Sequence, residues 1–281
     1  MPLAELVASP LVFAGYGINA PERGWNDYAD IDVTGKTVVV LINDPGFATQ
    51  DPEVFNGNAM TYYGRWSYKF EEAARQGAAG VIIVHETAPA AYGWDVVRNG
   101  GSSAKIGLTA ENKMADTVAV QSWIPLAQAQ TLFAAAGVDY AEASAAAARP
   151  GFKAFPLADI SASVTLRNEV SNKISHNVAA LLPGSKYPDE VVIYTAHWDH
   201  LGVRPGTDGD NIYNGASDNA SGTAALFSLA RMFGEQAQPP ERSVLFLAVT
   251  AEESGLLGSR WYGENPIFAL DKTVANFNMD N

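Results

Sequence analysis

The chain has no cysteine among its 281 residues, and this absence removes three kinds of chemistry. Disulfide scaffolds, thiolate metal sites and cysteine nucleophiles all need that side chain. Positive charge is also scarce, because 18 Lys and Arg stand against 31 Asp and Glu, for a formal net charge of −13. Nucleic-acid binding relies on a basic surface, so this balance argues against a nucleic-acid partner.

Long apolar segments are missing as well. A membrane-spanning helix needs roughly 18 consecutive apolar residues, whereas the longest clear apolar run here is Val244 to Val249. The N-terminal residues also lack the basic and apolar regions of a secretory signal peptide. The chain does have 47% hydrophobic residues with 25 Gly and 15 Pro, a composition typical of packed globular proteins. We therefore expect a globular protein without a membrane span.

The composition changes near residue 150, where the alanine-rich stretch Ala141 to Ala148 precedes Arg149-Pro150-Gly151. Because Pro and Gly interrupt regular structure, we expect a linker here and predict two domains, residues 1–155 and 156–281. Short β-type runs with few helical stretches indicate that the first is a smaller, β-rich α+β domain. Its clearest predicted elements are strands at Val38 to Ile42 and Gly80 to Val84, and helices at Tyr68 to Gln76 and Leu126 to Ala136.

The second half alternates apolar strands with helices. This alternation predicts an α/β fold with a mostly parallel sheet covered by helices on both faces. Ligands of such sheets bind beyond the carboxyl ends of the strands. The predicted strands are Val191 to Ala196, Val244 to Thr250 and Thr273 to Met279, and the predicted helices are Ser221 to Phe233 and a segment around Leu256 to Tyr262.

Residues with metal-ligating side chains follow the ends of these strands. His197 comes directly after the first strand, and Glu252 and Glu253 follow the second. Asp280 follows the third strand, and Asp218 lies just ahead of the apolar helix at the same edge. Carboxylates that converge in this way repel one another unless cations lie among them. One imidazole with several carboxylates suits Zn²⁺ or a neighbouring first-row metal, and their number favours a pair of ions bridged by one carboxylate.

Each of these residues also has an ordinary structural explanation. Glu252 and Glu253 fit solvated surface charges, Asp218 fits a helix N-cap, and Asp280 fits a turn residue at a strand end. Their joint occurrence at successive strand ends of one α/β unit favours the metal site.

With these residues together, the segment from about Ile174 to Asn281 resembles the zinc-dependent aminopeptidases of the M28 peptidase family, and so implies an incomplete zinc exopeptidase fold. Residues from about Leu11 to Ala154 resemble a protease-associated (PA) domain, which several members of that family carry inserted in the peptidase domain. The motifs that carry the M28 resemblance are His-Trp-Asp-His-Leu-Gly (197–202), Asn-Gly-Ala-Ser-Asp-Asn-Ala-Ser-Gly (214–222), Thr-Ala-Glu-Glu-Ser-Gly-Leu-Leu-Gly-Ser (250–259) and Asn-Met-Asp (278–280).

The resemblance implies a role for each motif residue. The implied metal ligands are His197 and Asp280 on one zinc ion, Glu253 on the other, and Asp218 bridging the two. Asp199 would hold the His197 imidazole in the required tautomer. Glu252 would be the general base, taking a proton from a zinc-activated water and passing it to the leaving amine.

The implied activity is metal-dependent removal of N-terminal residues from peptides, with two Zn²⁺ in a complete active site and a periplasmic or extracellular location. A carboxypeptidase and a glutaminyl cyclase are alternatives on the same fold. A non-catalytic, receptor-like relative is a third alternative, although the intact set of candidate ligands weighs against it.

The sequence departs from the family pattern at one ligand. The family's second metal is also held by a His well downstream of the Asp matched by Asp280. The histidines of this chain are His85, His176, His197 and His200, and none of them follows Glu253. We therefore expect a fragment of a longer peptidase or a shortened relative, which binds at most one zinc tightly and is inactive as given.

Overall fold

A computed structural model describes residues 3–101, 105–109, 117–203, 206 and 209–280. Its internal contacts divide the chain into two compact units. The described residues of the first unit are 3–101 and 117–171, and those of the second are 105–109, 172–203, 206 and 209–280. Within the described residues, no helix combines the length and apolar character that crossing a membrane requires.

The first unit contains a five-stranded sheet in the order β6-β5-β4-β1-β7, in which only β7 runs antiparallel to its neighbour. Strands β2 and β3 form a separate antiparallel pair. The strands are β1 Leu3–Phe13, β2 Asn19–Ala20, β3 Trp25–Asn26, β4 Thr37–Leu41, β5 Gly80–His85, β6 Val120–Pro125 and β7 Phe155–Arg167. The helices are α1 Pro45–Thr49, α2 Trp66–Arg75, α3 Thr87–Ala90, α4 Trp94–Gly101, α5 Leu126–Ala135 and α6 Tyr140–Ala147, with short 3-10 helices at Pro21–Arg23 and Tyr62–Gly64.

Side chains of the central strands alternate between two apolar clusters, one on each face of this sheet. Val39 and Leu41 belong to the cluster that includes Phe133 of α5. Val38 and Val40 belong to the other cluster, which includes Phe70 of α2. Strand β4 is consequently buried along its whole length, as its uninterrupted apolar sequence predicts.

The unit boundary lies between Ser171 and Asn172, not between residues 155 and 156 where the sequence places it. Strand β7 pairs along its length with β1, from Phe155 opposite Phe13 to Arg167 opposite Leu3. Sheet pairing therefore joins residues 155–167 to the first unit. The alanine-rich stretch and the Arg149-Pro150-Gly151 segment that follows it predict a linker. In the structure they form most of helix α6 and the turn that leads to β7.

A buried polar network holds the loops at one end of this sheet. The Lys69 side chain is fully buried, and its ammonium donates to the carbonyl oxygens of Tyr16 and Tyr63 at 2.6 and 2.7 Å. Burial lowers the pKa of Lys69 to about 7, although the carboxylates of Asp27 and Asp44 oppose this shift. The network thus joins α2 to the segments that follow β1 and β4.

Asp44→Ala should destabilise the first unit by about 2–4 kcal/mol. The buried Asp44 carboxylate caps α1 through Gly46 N at 3.1 Å and accepts from the amide and hydroxyl of Thr61 at 2.9 and 2.7 Å. Its removal loses a helix cap and leaves buried donors unpaired, each typically costing about 1–3 kcal/mol. Urea unfolding measures the change, and Asp95→Ala at an exposed position is the control. Equal midpoints for the two variants would contradict this assignment.

The second unit contains a four-stranded sheet in the order β13-β9-β12-β8. Strands β13, β9 and β12 are parallel, and β8 is antiparallel to β12. Its strands are β8 Val178–Leu182, β9 Tyr187–His197, β10 Gly202–Val203, β11 Ile212–Tyr213, β12 Arg242–Val249 and β13 Thr273–Asn278. Its helices are α7 Gly222–Gly234 and α8 Leu257–Glu264, with a π-type turn at Ala216–Ser221 and a 3-10 helix at Leu270–Lys272.

Both faces of this sheet carry apolar clusters, which confirms the predicted mostly parallel sheet covered by helices. On one face Ile193 and Leu247 pack with Tyr262 of α8. On the other face Phe246 packs with Leu226 of α7. The opposite side of α7 leaves Phe227 75% exposed, so the apolar sequence of this helix exceeds what the sheet buries.

Candidate metal centre

The parallel pairing brings the carboxyl ends of three strands to one edge. Val249 of β12 lies opposite His197 of β9, and Asn278 of β13 lies opposite Thr195. Residues that follow these strands therefore leave the sheet side by side. This is the edge at which the sequence predicts the metal site.

One group of donor atoms is centred on His197. Its side chain is only 2% exposed, and Nε2 lies 3.0 Å from Asp218 Oδ1 and 3.3 Å from Asp280 Oδ1. One ligand atom from each of these residues lies within 4.8 Å of the other two. The three residues that the sequence predicts for the first metal position are thus brought together.

A hydrogen bond orients the His197 imidazole. Nδ1 lies 3.0 Å from the backbone carbonyl oxygen of Asp199, a distance at which an Nδ1–H donates. This tautomer leaves the lone pair of Nε2 facing Asp218 and Asp280, as a metal ligand requires.

The Asp199 carboxylate has a different partner from the one the sequence predicts. Its Oδ1 is 3.9 Å from His197 Nδ1, beyond hydrogen-bond distance. It instead accepts from the backbone amides of Glu252 at 3.0 Å and Glu253 at 3.4 Å. Because the Asp199 carboxylate accepts from these two amides, it orients the loop after β12. The backbone carbonyl of Asp199, not its side chain, orients the imidazole.

Asn177 holds the same loop from its other side. Its side-chain oxygen accepts from Thr250 N at 3.0 Å, and its side-chain nitrogen donates to the Gly258 carbonyl at 2.8 Å. A β-carbon at position 258 would meet Thr250 and Asn177 at less than 3 Å, so only glycine allows this close approach. The loop that carries Glu252 and Glu253 is therefore fixed at both ends.

A second donor group contains a histidine that the sequence reasoning did not assign. Ligand atoms of His200, Asp218 and Glu253 lie within 4.8 Å of one another, with His200 Nδ1 only 2.7 Å from Glu253 Oε1. Asp218 belongs to both groups. The sequence signal for His200 is its place in His-Trp-Asp-His, three residues after His197.

The segment around Asp218 is held by its neighbour Asn219, which is 2% exposed. The Asn219 side chain donates to the Met279 carbonyl at 2.9 Å and accepts from Gly222 N at 3.0 Å. Asn219, not Asp218, thus supplies the side-chain oxygen at the start of α7. Its bond to Met279 also ties the Asp218 segment to the residue before Asp280.

The carboxylates shift the pKa values of two groups. Burial by itself would lower the pKa of His197, but the hydrogen bond to Asp199 and the charges of Glu252 and Asp280 outweigh it and raise that pKa. Burial raises the pKa of Glu252, and the charge of Asp280 adds to this effect while His197 opposes it. Neighbouring carboxylates therefore contribute to both shifts, although burial is the larger cause for Glu252.

The donor atoms fit a pair of metal ions of the zinc type. Each group offers one imidazole nitrogen and two carboxylate oxygens, which is the number and kind of protein ligands that catalytic zinc sites use. His200 Nδ1 and Glu253 Oε1 are also buried and have no hydrogen-bond partner among the described residues. Glu252 belongs to neither group, although its Oε2 is 3.9 Å from His197 Nε2.

Comparison with known proteins agrees with this α/β metal centre. Residues 177–281 match the family model of Peptidase family M28. This matching segment contains every residue of the two donor groups.

Two curated relatives are aminopeptidases. Aminopeptidase NAALADL1 of Mus musculus is 34% identical over 139 residues, which is 47% of this chain and 17% of that protein. Aminopeptidase YwaD of Bacillus subtilis is 34% identical over 113 residues, or 39% of this chain and 22% of that protein. The matched part of the chain therefore spans less than a quarter of the length of each of these relatives.

Two solved structures align with 99% of the chain. An aminopeptidase from Aneurinibacillus sp. strain AM-1 is 24% identical, with a TM-score of 0.41 and 50% of that chain covered. A peptidase M28 precursor from Shewanella amazonensis is 20% identical, with a TM-score of 0.36 and 55% of that chain covered. The chain spans about half of each.

Asn219→Ala should loosen the Asp218 segment and the end of β13 together. Removing its side chain leaves the Met279 carbonyl and the Gly222 amide without partners, at a cost of about 1–3 kcal/mol. Hydrogen exchange of peptides covering α7 and β13 measures the effect, and should be faster in the variant. Asn265→Ala is the control, because Asn265 is exposed and its loss should change stability by less than about 0.5 kcal/mol. Similar exchange rates in the two variants would be evidence that Asn219 does not hold these two segments together.

Proposed function

We propose that this protein is a zinc-dependent exopeptidase that removes N-terminal residues from peptides. The observation that carries the proposal is the pair of His-carboxylate donor groups that share Asp218 at the carboxyl edge of the sheet. The match of residues 177–281 to the model of Peptidase family M28 and the similarity to two curated aminopeptidases support the choice of reaction.

The proposed ligands are His197, Asp218 and Asp280 at the first position, with Glu253 and the shared Asp218 at the second. When bound, the zinc ions would activate a water molecule and polarise the carbonyl of the scissile peptide bond. Because one carboxylate serves both positions, the two ions would be held close together, as a co-catalytic pair requires.

Glu252 is proposed as the general base. Its carboxylate lies beside His197 but outside both donor groups, so its oxygens stay free to take a proton from the attacking water. The same carboxyl group then delivers that proton to the leaving amine. Asp199 would act as a positioning residue, because its side chain holds the Glu252 amide and its backbone orients His197.

We propose peptides as substrates and a periplasmic or extracellular location, both on the family resemblance. The expectation that the chain is inactive as given also stays a prediction. His200 lies within 4.8 Å of the donor atoms of Asp218 and Glu253 and is a further candidate donor near the second position.

Glu252→Gln should remove most of the peptidase activity of zinc-loaded, active protein while leaving its zinc content unchanged. The amide has nearly the same shape but cannot accept the proton, and loss of a general base typically lowers the rate by about 10²–10⁴-fold. An aminoacyl chromogenic substrate and metal analysis provide the two readouts. Glu235→Gln, at an exposed position after α7, is the matched control. Turnover of the Glu252 variant at the rate of this control would exclude Glu252 as the base.

Asp218→Ala should release both zinc ions. The variant loses one ligand from each position and the negative charge that screens the two cations from each other. Metal analysis after dialysis is the measurement, and Asp189→Ala, which removes an exposed carboxylate of β9, is the control. Two retained equivalents in the Asp218 variant would rule out its bridging role.

A further inference from the structure

We propose that a cavity in the first unit binds a short peptide that has both a free amine and a free carboxylate. The cavity has a volume of about 550 Å³, and its walls come from helices α1, α5 and α6 and from the residue that follows β5. All of the lining residues belong to the first unit. The inference is therefore independent of the metal centre and of the proposed function.

The cavity lies where α/β sheets commonly bind their ligands. Strands β4, β5 and β6 are parallel, so their carboxyl ends lie at one edge of the sheet. Glu86 directly follows β5 and Leu126 directly follows β6, and both residues line the cavity. Ligands of such sheets bind beyond the carboxyl ends of the strands. The position thus agrees with a binding site.

One end of the cavity carries a carboxylate in a fixed position. Glu86 Oε1 accepts from the hydroxyl of Tyr140, the first residue of α6, at 2.7 Å. The other carboxylate oxygen of Glu86 has no hydrogen-bond donor among the residues that the structure describes. Burial raises the pKa of the nearby Tyr16, and the charges of Glu86 and Asp44 raise it further. Negative charge at this end of the cavity favours an ammonium group of the ligand.

The other end carries a cation. Among the described residues that line the cavity, Glu86 and Arg149 are the charged ones. Arg149 is exposed, and its guanidinium has no hydrogen-bond or ion-pair partner within the described part of the chain. A guanidinium can bind a carboxylate through two parallel N–H···O bonds. Arg149 is therefore available to a carboxylate of the ligand.

Helix α6 separates the two charged groups. Its first residue, Tyr140, bonds to Glu86, and Arg149 follows its last turn. The helical rise places Tyr140 and Ala147 about 10 Å apart along the axis. An extended chain spans about 3.3–3.6 Å per residue, so a tripeptide also covers about 10 Å. The spacing of the charges thus suits a peptide of three residues better than a single amino acid.

The wall between the two ends can accept a peptide backbone. Small side chains of α6 and its C-terminal end line it, and they lie three or four residues apart on one face: Ala141, Ser144, Ala145 and Ala148. Small side chains allow a ligand to lie close to the helix. Gln130 of α5 lines the same cavity, and its side-chain amide can pair with a peptide group.

The test uses the chain of residues 1–281 in the presence of a metal chelator, so that the metal centre does not contribute. Calorimetric titration compares trialanine with N-acetyl-trialanine, which lacks the ammonium group, and with trialanine amide, which lacks the carboxylate. Trialanine should bind at least about 10-fold more tightly than either of the others, because charge-assisted hydrogen bonds are roughly twice as strong as neutral ones.

Two variants connect each end of the peptide with one side chain. Glu86→Gln keeps an acceptor for the Tyr140 hydroxyl but removes the charge, so it should weaken trialanine binding about 10-fold and make acetylation of the peptide neutral. Arg149→Gln should weaken trialanine binding to a similar extent and make amidation neutral. Glu142→Gln and Arg98→Gln, at exposed positions outside the cavity, are the matched controls.

A third variant tests the cavity without changing any charge. Ala145 lines the cavity and is exposed, so a larger side chain there should not disturb the core. Ala145→Phe should fill the cavity and abolish trialanine binding. Ala146→Phe, at the neighbouring exposed position outside the cavity, is its control.

The outcomes decide the proposal independently of the zinc site, because the chelator removes metal throughout. Loss of binding in Ala145→Phe, together with the two charge-specific losses, supports it. Equal affinities for the three peptides, or no binding of trialanine at millimolar concentration, would overturn it. Binding of trialanine that all three cavity variants leave unchanged would also overturn it, since the peptide would then bind elsewhere.

Discussion

Repulsion among carboxylates is the constraint that shapes the second unit. Asp218, Glu252, Glu253 and Asp280 each lie within 3.9 Å of a nitrogen of His197 or His200. Like charges so close together in a partly buried place are unfavourable unless opposite charge or hydrogen bonds compensate them. The hydrogen bond to Asp199 and the charges of Glu252 and Asp280 raise the pKa of His197 against the effect of burial, and burial raises the pKa of Glu252 with a further contribution from Asp280. The proposed pair of cations accounts for this arrangement.

Much of the surrounding sequence serves to hold that arrangement in place. The Asp199 carboxylate accepts from two backbone amides, so it supports the Glu252–Glu253 loop and is not available as a metal ligand. Gly215 and Gly222 allow His200 and Asn219 to approach the backbone more closely than any β-carbon permits. The motif around Asp218 therefore supplies a candidate metal ligand and also the glycines that the backbone conformation needs.

The first unit is built on a separate basis. Its sheet is buried on both faces by apolar clusters, and the polar groups at its end are joined through Lys69 and Asp44. This unit has its own core, which accounts for the division of the chain into two compact units. Its resemblance to a PA domain stays a prediction.

The amino-acid sequence by itself predicted the parallel strands of the second unit, the helices between them, and the edge at which His197, Asp218, Glu253 and Asp280 meet. These features follow from local hydrophobic periodicity and from the rule that parallel strands end at one edge. Only the tertiary structure decided that β7 belongs to the first unit. Its partner β1 lies far away in the sequence, with Phe13 paired to Phe155 and Leu3 to Arg167, and such distant pairing leaves no local signal. Only the tertiary structure likewise showed the partners of the Asp199 carboxylate, the hydrogen bonds of the Asn219 side chain and the approach of His200 to Glu253. Each of these depends on loop conformations that bring side chains together across the chain, and composition and spacing do not specify such conformations.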